Sequence, residues 1–155
     1  MEGQEAYPVC EDADRFGSPT SFLNGRFDCK VSGRETDGRL CIFDTVRTHR
    51  GGPPLHYHYG QEEWFFVREG EFLFQIGGDI VRLKAGDSIL GPRRLPHTFA
   101  NVTDTARLLI VLQPAGSMEE FFRQGSLIKH PTREDLIDLH RLHGMEVVGP
   151  PLKVD

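Results

Sequence analysis

Short runs in which apolar and polar residues alternate fill the middle of the chain, and turn residues separate them. Such runs predict strands at residues 40–46, 63–68, 71–76, 79–83, 88–90 and 107–112. Gly77 and Gly78 stand alone between two of these runs, which predicts a tight hairpin. Short strands at close spacing are typical of an all-β barrel or sandwich, and a small barrel can hold a pocket at its mouth.

The pattern changes after the last predicted strand. Residues 117–124 are predicted to form a short helix with acidic residues in its first turn. Thr132 is followed three residues later by Asp135, which resembles a capping box and predicts the start of a second helix. A leucine stripe follows, and Gly144 predicts its end. We expect one or two helices that pack against the outside of the β domain.

The chain therefore divides into an N-terminal arm at residues 1–20, a β domain at 21–115 and a C-terminal helical extension at 116–155. We expect the arm to be loosely structured, with part of it packed on a neighbouring surface. The chain's 155 residues suit one domain. A net charge of −5 without a basic cluster argues against a nucleic-acid partner. No apolar run is long enough to cross a bilayer, and the acidic start is unlike a signal peptide, so we expect a cytoplasmic protein with no membrane partner.

Four potential metal ligands fall at positions that strands would bring together. His56 and His58 are separated by one residue, so both imidazoles lie on the same face of a strand. Glu63 can reach that face from the next strand, and His97 can reach it from a third. Three neutral nitrogens and one carboxylate suit a first-row divalent metal ion. The sequence therefore predicts a metal site inside the sheet.

The spacing around these ligands resembles the two motifs of the cupin family. The first motif is matched by His56, His58, Glu63 and Gly70, and the second by Gly86, Pro92, His97 and Asn101. The resemblance covers roughly residues 38–113 and implies a small antiparallel jelly-roll barrel with a metal bound by His56, His58, Glu63 and His97. Weaker similarity to bacterial quercetin-dioxygenase-like cupins extends to residues 35–38 and 143–152.

Two positions depart from the family pattern. Arg50 stands where the first motif often has glycine, with Gly51 and Gly52 beside it. Arg94 stands where the second motif has a glycine that eases a turn, so we expect an altered loop before His97. Neither departure removes a predicted ligand.

The resemblance implies a metal-dependent, dioxygenase-like enzyme that oxygenates a small enol or phenol. Glu63 would stay a ligand or act as a general base, and Tyr59 could reach the pocket as a hydrogen-bond donor or proton relay; a packing or rim tyrosine is the alternative. The metal would be Fe, Ni, Mn, Co or Zn. A non-redox isomerase, cyclase, lyase or decarboxylase is a second hypothesis, and a non-catalytic small-molecule-binding module is a third. Cupins often pair through strands, which implies a homodimer.

The remaining polar residues carry weaker signals. Arg93 and Arg94 could attract an anionic substrate, or they form an exposed pair on a loop. We expect Gln61 and Glu62 to lie on a turn and outside the metal shell. The other histidines show no ligand spacing with a carboxylate and are predicted to be solvated or to cap helix ends: His49, His130, His140 and His143.

Overall fold

The computed structural model describes residues 6–154. Its strands are β1 (Thr20–Phe22), β2 (Gly25–Val31), β3 (Cys41–Arg47), β4 (Pro54–His58), β5 (Glu62–Glu69), β6 (Glu71–Ile76), β7 (Asp79–Lys84), β8 (Ser88–Gly91), β9 (His97–Asn101), β10 (Ala106–Gln113) and β11 (Met145–Pro151). Its α-helices are α1 (Met118–Ser126) and α2 (Arg133–Leu142). The six strands predicted from sequence match strands of the structure to within one residue at each end.

Two antiparallel sheets face each other across one core. The first sheet has the order β1-β2-β3-β10-β5-β8, and the second has the order β11-β4-β9-β6-β7. Alternate residues of β5 and β10 are buried, as their sequence pattern requires. The core between the sheets is rich in phenylalanine and branched residues, including Phe65, Val67, Phe72, Phe74, Phe99, Leu108 and Ile110. The predicted all-β fold with C-terminal helices is confirmed.

The two helices close the side of the barrel where the edge strands β1 and β11 lie. α1 contacts β1, α2 contacts β11, and the helices contact each other. Phe22 of β1 meets Phe121 of α1 edge to face, with ring centroids 5.5 Å apart. The predicted capping box is present, because the Thr132 side chain accepts from the Asp135 amide and Asp135 accepts from the Thr132 amide.

The sequence predicts a helical extension over residues 116–155, but this extension is not wholly helical, because it ends in β11. This strand pairs with β4 and so becomes part of the second sheet. Its register shifts near Gly149 and again before Pro151, and these residues weaken any strand signal in the sequence. The extension therefore contributes to the barrel wall as well as to its cover.

Residues 6–19 contain no strand, yet many side chains fasten them to the first sheet. Lys30 Nζ donates to the carbonyls of Cys10 and Ala13 at 2.8 and 2.7 Å. Arg107 Nη2 pairs with Asp12 Oδ1 at 2.6 Å. Residues 6–19 are therefore the part of the arm that packs on a neighbouring surface, and residues 1–5 lie outside the described range. No helix of the described chain has the length and apolar character needed to span a membrane.

Candidate metal centre

The two sheets bring the four predicted ligands to one place. His56 and His58 lie on β4, and His97 of β9 stands opposite His56 in the same sheet. Glu63 reaches them from β5 in the facing sheet. One potential ligand atom from each side chain lies within 4.8 Å of all the others, and all four residues are buried. The structure thus contains a buried His/His/Glu/His cluster that is compatible with a metal ion.

The carboxylate of Glu63 lies between two imidazoles. Its Oε2 is 2.9 Å from His58 Nε2 and 3.0 Å from His97 Nε2. Burial alone would raise the pKa of Glu63, but the close approach of the two imidazoles and their charge interactions with the carboxylate outweigh it and hold this pKa below its usual value. Glu63 is therefore an anion at neutral pH, as a metal-binding carboxylate must be.

The outer nitrogen of each imidazole is already engaged. His56 Nδ1 lies 2.7 Å from the carbonyl oxygen of Pro54. His58 Nδ1 lies 2.8 Å from the amide oxygen of Gln61. His97 Nδ1 lies 3.3 Å from the carbonyl oxygen of Leu95. Because a carbonyl oxygen only accepts, Nδ1 of each ring carries a proton. When a ring holds no second proton, the lone pair of its Nε2 is directed to the centre of the cluster, which is the form that binds a metal. His97 Nε2 also lies 3.0 Å from Glu63 Oε2, and it can donate to this carboxylate only when the ring carries a second proton.

His58 shows that this donor set suits a cation. Its buried Nε2 has no hydrogen-bond partner although it lies 2.9 Å from Glu63 Oε2, because the geometry is wrong for one. A lone pair therefore faces a carboxylate oxygen, and this repulsion calls for positive charge between them. A proton is one answer: Glu63 raises the pKa of His58 despite burial, which opposes that shift. A divalent metal ion is the other, and the residues present fit it.

Gln61 supports the cluster from outside. It lies on the turn before β5, as expected, but it is buried and contacts a predicted ligand, which was not expected. Its Nε2 donates to the carbonyls of Pro114 and Ala115 at 2.8 and 3.1 Å. These bonds fix the amide so that its oxygen points toward His58. The sequence held no signal that separates this glutamine from an exposed turn residue.

The cluster opens into a small cavity of about 30 Å³. This volume has room for water-sized groups only. The walls are mostly apolar and come from both sheets and both helices: Leu23, Phe27, Arg47, Pro53, Phe99, Ile110, Met118, Phe121, Phe122, His140 and Met145. The helices thus cover the cluster as well as packing outside the barrel.

His140 of α2 is a third histidine at this cavity, beside His56 and His58. We expected it to be solvated or to cap a helix end, and that expectation is wrong, because it is 1% exposed and its ring centre lies 5.2 Å from that of His56. Burial lowers the pKa of His140 to about 4, so the ring is neutral at pH 7. A signal was present in the sequence, since His140 lies four residues after Leu136 and so shares its face of the helix.

Tyr59 does not face the cavity. It is 47% exposed. Its hydroxyl accepts a hydrogen bond from the Tyr57 hydroxyl at 3.2 Å and donates one to the carboxylate of Glu146 at 3.3 Å. The expectation that Tyr59 reaches the pocket is therefore corrected. Side chains alternate along an extended chain, so residue 59 shares the outward side of residue 57 and not the inward side of His58.

Arg93 and Arg94 are exposed on the loop before β9, which is one of the two arrangements predicted for them. Arg93 pairs with Glu62 at 2.9 Å. Arg94 adopts a left-handed φ of 63°, so it takes the conformation for which glycine is favoured. Its amide donates to the carbonyl of His58 at 2.8 Å, which keeps the loop beside β4. The turn is therefore preserved without its glycine.

The comparison with known families agrees with this geometry. The family model described as a cupin domain matches residues 43–112. These residues form a cupin domain.

Solved structures extend the likeness beyond the matched residues. An RmlC-like cupin from Shewanella frigidimarina superposes with a TM-score of 0.59 at 21% identity, covering 74% of this chain and 96% of that one. Pac13 of Streptomyces, a nucleoside dehydratase, gives a TM-score of 0.59 at 12% identity, over 74% and 88% of the two chains. KdgF from Halomonas sp. gives 0.53 at 15%, over 61% and 93%. At these identities the likeness concerns the cupin fold.

One curated relative matches in sequence. It is an uncharacterised protein of Methanocaldococcus jannaschii, MJ1618, which is 31% identical over 67 residues. The match covers 43% of this chain and 54% of the relative, so the chain spans about half the length of the curated relative it matches.

Proposed function

We propose that this cupin is a metal-dependent oxygenase that acts on a small enol or phenol. The observation that carries the proposal is the buried cluster, in which three imidazoles and one carboxylate converge beside a mostly apolar cavity. Three imidazoles and one carboxylate leave coordination positions free on a first-row metal, so a substrate oxygen can bind there.

His56, His58, Glu63 and His97 would hold the metal ion, which would be Fe, Ni, Mn, Co or Zn. When bound, the ion acts as a Lewis acid and lowers the pKa of an enol or phenol oxygen. Glu63 is the group that can receive the proton, because it is ionised and faces the centre of the cluster. Phe99, Ile110 and Phe121 exclude water from the reacting atoms.

A non-redox enzyme is the second candidate. Glu63 between two imidazoles can move a proton without oxygen, as an isomerase, cyclase, lyase or decarboxylase requires. The shared fold with a nucleoside dehydratase supports this candidate. A non-catalytic binding module is the third, and it predicts ligand binding without turnover and tolerance of Glu63→Gln.

The test begins with elemental analysis of the purified protein. Each candidate metal is then reconstituted, and oxygen uptake is measured with flavonols and related enols. An oxygenase consumes oxygen with at least one metal and loses this activity in Glu63→Gln. Turnover without oxygen uptake would favour the non-redox candidate, and binding with no turnover in either protein would favour the binding module.

We also propose that the protein is a cytoplasmic homodimer with a small-molecule substrate. Two edge strands, β7 and β8, expose apolar side chains that a second copy would cover, including Ile80, Val81 and Leu90. Light scattering at high concentration should give twice the chain mass. A monomer at all concentrations would refute the dimer.

A further inference from the structure

The helical side of the cavity contributes a polar side chain that has no role in the proposed chemistry. His140 is buried, and it lines the same cavity as His56, His58 and Glu63. It comes from α2, whereas the cluster residues come from strands. Its ring contacts those of His56 and Phe121, with centroid distances of 5.2 and 4.9 Å. Its place is therefore fixed by packing on both sides.

The hydrogen bonding of His140 defines what it can offer to a ligand. Its Nδ1 lies 2.6 Å from the carbonyl of Leu136, one turn earlier on the same helix. Since this oxygen can only accept, Nδ1 carries the proton and Nε2 holds a lone pair. No residue in the range 6–154 donates to that Nε2. His140 is thus a fixed hydrogen-bond acceptor in a mostly apolar cavity.

We propose that His140 contacts the ligand at the metal cluster by accepting a hydrogen bond from a hydroxyl next to the ligand's metal-binding oxygen. This inference rests on the proposed function and narrows its substrate class. The ligand would carry two oxygens on adjacent carbons, as catechols, enediols and α-hydroxy ketones do. One oxygen meets the metal ion, and the other keeps its proton and donates to Nε2.

The alternatives for His140 are less consistent with the structure. It is not part of the set of side chains whose ligand atoms lie within 4.8 Å of one another, so it is not a fifth ligand. A purely packing role needs no acceptor at the cavity, and a leucine or phenylalanine would fill the same space without one.

Entry of such a ligand requires the helices to move. A cavity of about 30 Å³ cannot hold a catechol ring. α1 and α2 supply Met118, Phe121, Phe122 and His140 to the wall, and these helices are outside both sheets. They can shift outward without breaking a strand pairing. His140 would then close over the ligand together with its helix.

Two probes and three variants test the contact. Zn(II)-loaded protein is titrated by calorimetry with catechol and with 2-methoxyphenol, which lacks the second hydroxyl. His140→Phe removes the acceptor and keeps a ring, His140→Gln keeps an acceptor, and His130→Phe is the control at an exposed histidine. Metal content is measured for every protein, and circular dichroism verifies folding.

We expect the catechol preference of the wild type to fall about tenfold in His140→Phe, which is the effect of one hydrogen bond. His140→Gln should stay within about threefold of wild type, and His130→Phe should not differ from it. An unchanged preference in His140→Phe, or an equal loss for both probes, would overturn the inference. If His140→Phe does not fold, the wild type alone tests the inference, and equal affinity for catechol and 2-methoxyphenol would overturn it.

The same data separate this inference from the proposed function. If the wild type takes up no metal, or binds catechol equally well without it, the metal-site proposal fails and this inference fails with it. If metal is bound and catechol binding depends on it, but His140→Phe behaves like wild type, only the role of His140 is wrong.

Discussion

The barrel wall and its helical cover contribute to one cavity but are held in place differently. The cluster residues lie on β4, β5 and β9, and backbone hydrogen bonds tie each of these strands to neighbours. α1 and α2 have no such ladder and are held by side-chain contacts. Glu119 of α1, for example, accepts from Ser32 Oγ at 2.8 Å and from the amide of Gly33 at 3.0 Å. The wall therefore fixes the metal ligands, while the cover is the part that the proposed ligand entry would move.

The largest effect should follow loss of a wall ligand. His97→Ala and His56→Ala each remove one of three imidazoles, so metal occupancy should fall well below one ion per chain. Elemental analysis after dialysis measures this, with His130→Ala as the control. Unchanged metal content in both variants would mean that the cluster is not the metal site.

Damage to the cover should change stability but not metal content. Phe121→Ala removes a buried ring from the contacts with Phe22 and His140, which should lower the free energy of unfolding by about 3–5 kcal/mol. Urea unfolding and elemental analysis measure the two quantities. If Phe121→Ala lost its metal while remaining folded, the cover would contribute to metal binding, and the proposed division between wall and cover would be wrong.

Gln61 gives a smaller and more selective effect on the wall. Gln61→Leu removes the acceptor that orients His58, so metal affinity should fall about 10- to 100-fold. Competition with a chelator gives the affinity. Glu62→Gln, on the neighbouring position, serves as the control, and equal affinities of the two variants would show that Gln61 has no supporting role.

The smallest effect, counted per pH unit, concerns the pH dependence of the metal-free protein. An unfolded histidine titrates near pH 6.5, whereas the pKa of folded His140 is about 4. Between these values the unfolded chain binds a proton that the folded chain does not, so stability falls as pH falls. Burial and neighbouring imidazoles also lower the pKa of His56, so His56 adds to this loss of stability at low pH. Glu63 raises the pKa of His58, so His58 has the opposite effect on stability.

Replacing His140 should remove its share of this slope. His140→Phe should reduce the loss of stability by up to about 1.4 kcal/mol per pH unit between pH 6.5 and 4. Urea unfolding of metal-free protein at several pH values measures it. A slope equal to that of wild type would mean that His140 is not buried in a neutral form.

The wall was largely predictable from the sequence and the cover was not. Period-two alternation and Gly77-Gly78 locate strands because they depend on local chemistry. The His56-x-His58 spacing needs only one strand to put two imidazoles together, and the family resemblance supplied Glu63 and His97. These inferences succeeded because each residue's direction follows from strand geometry.

The contributions of the cover depend on how distant segments pack. The spacing from Leu136 indicates which face of α2 carries His140, but the place of His140 over His56 arises from the packing of α2 against β11. Gln61 likewise gains its role from the carbonyls of Pro114 and Ala115, more than fifty residues away. Tyr59 was a different error, because strict alternation from His58 already places it on the outer side.

The central claim is that three imidazoles and one carboxylate hold a single metal ion beneath the helices. A crystal structure with anomalous scattering data, collected above and below the absorption edge of the reconstituted metal, tests it most directly. The account predicts one strong peak at about 2.0–2.2 Å from Nε2 of His56, His58 and His97 and from a carboxylate oxygen of Glu63. A peak bound elsewhere, or none at this cluster in metal-loaded crystals, would contradict it.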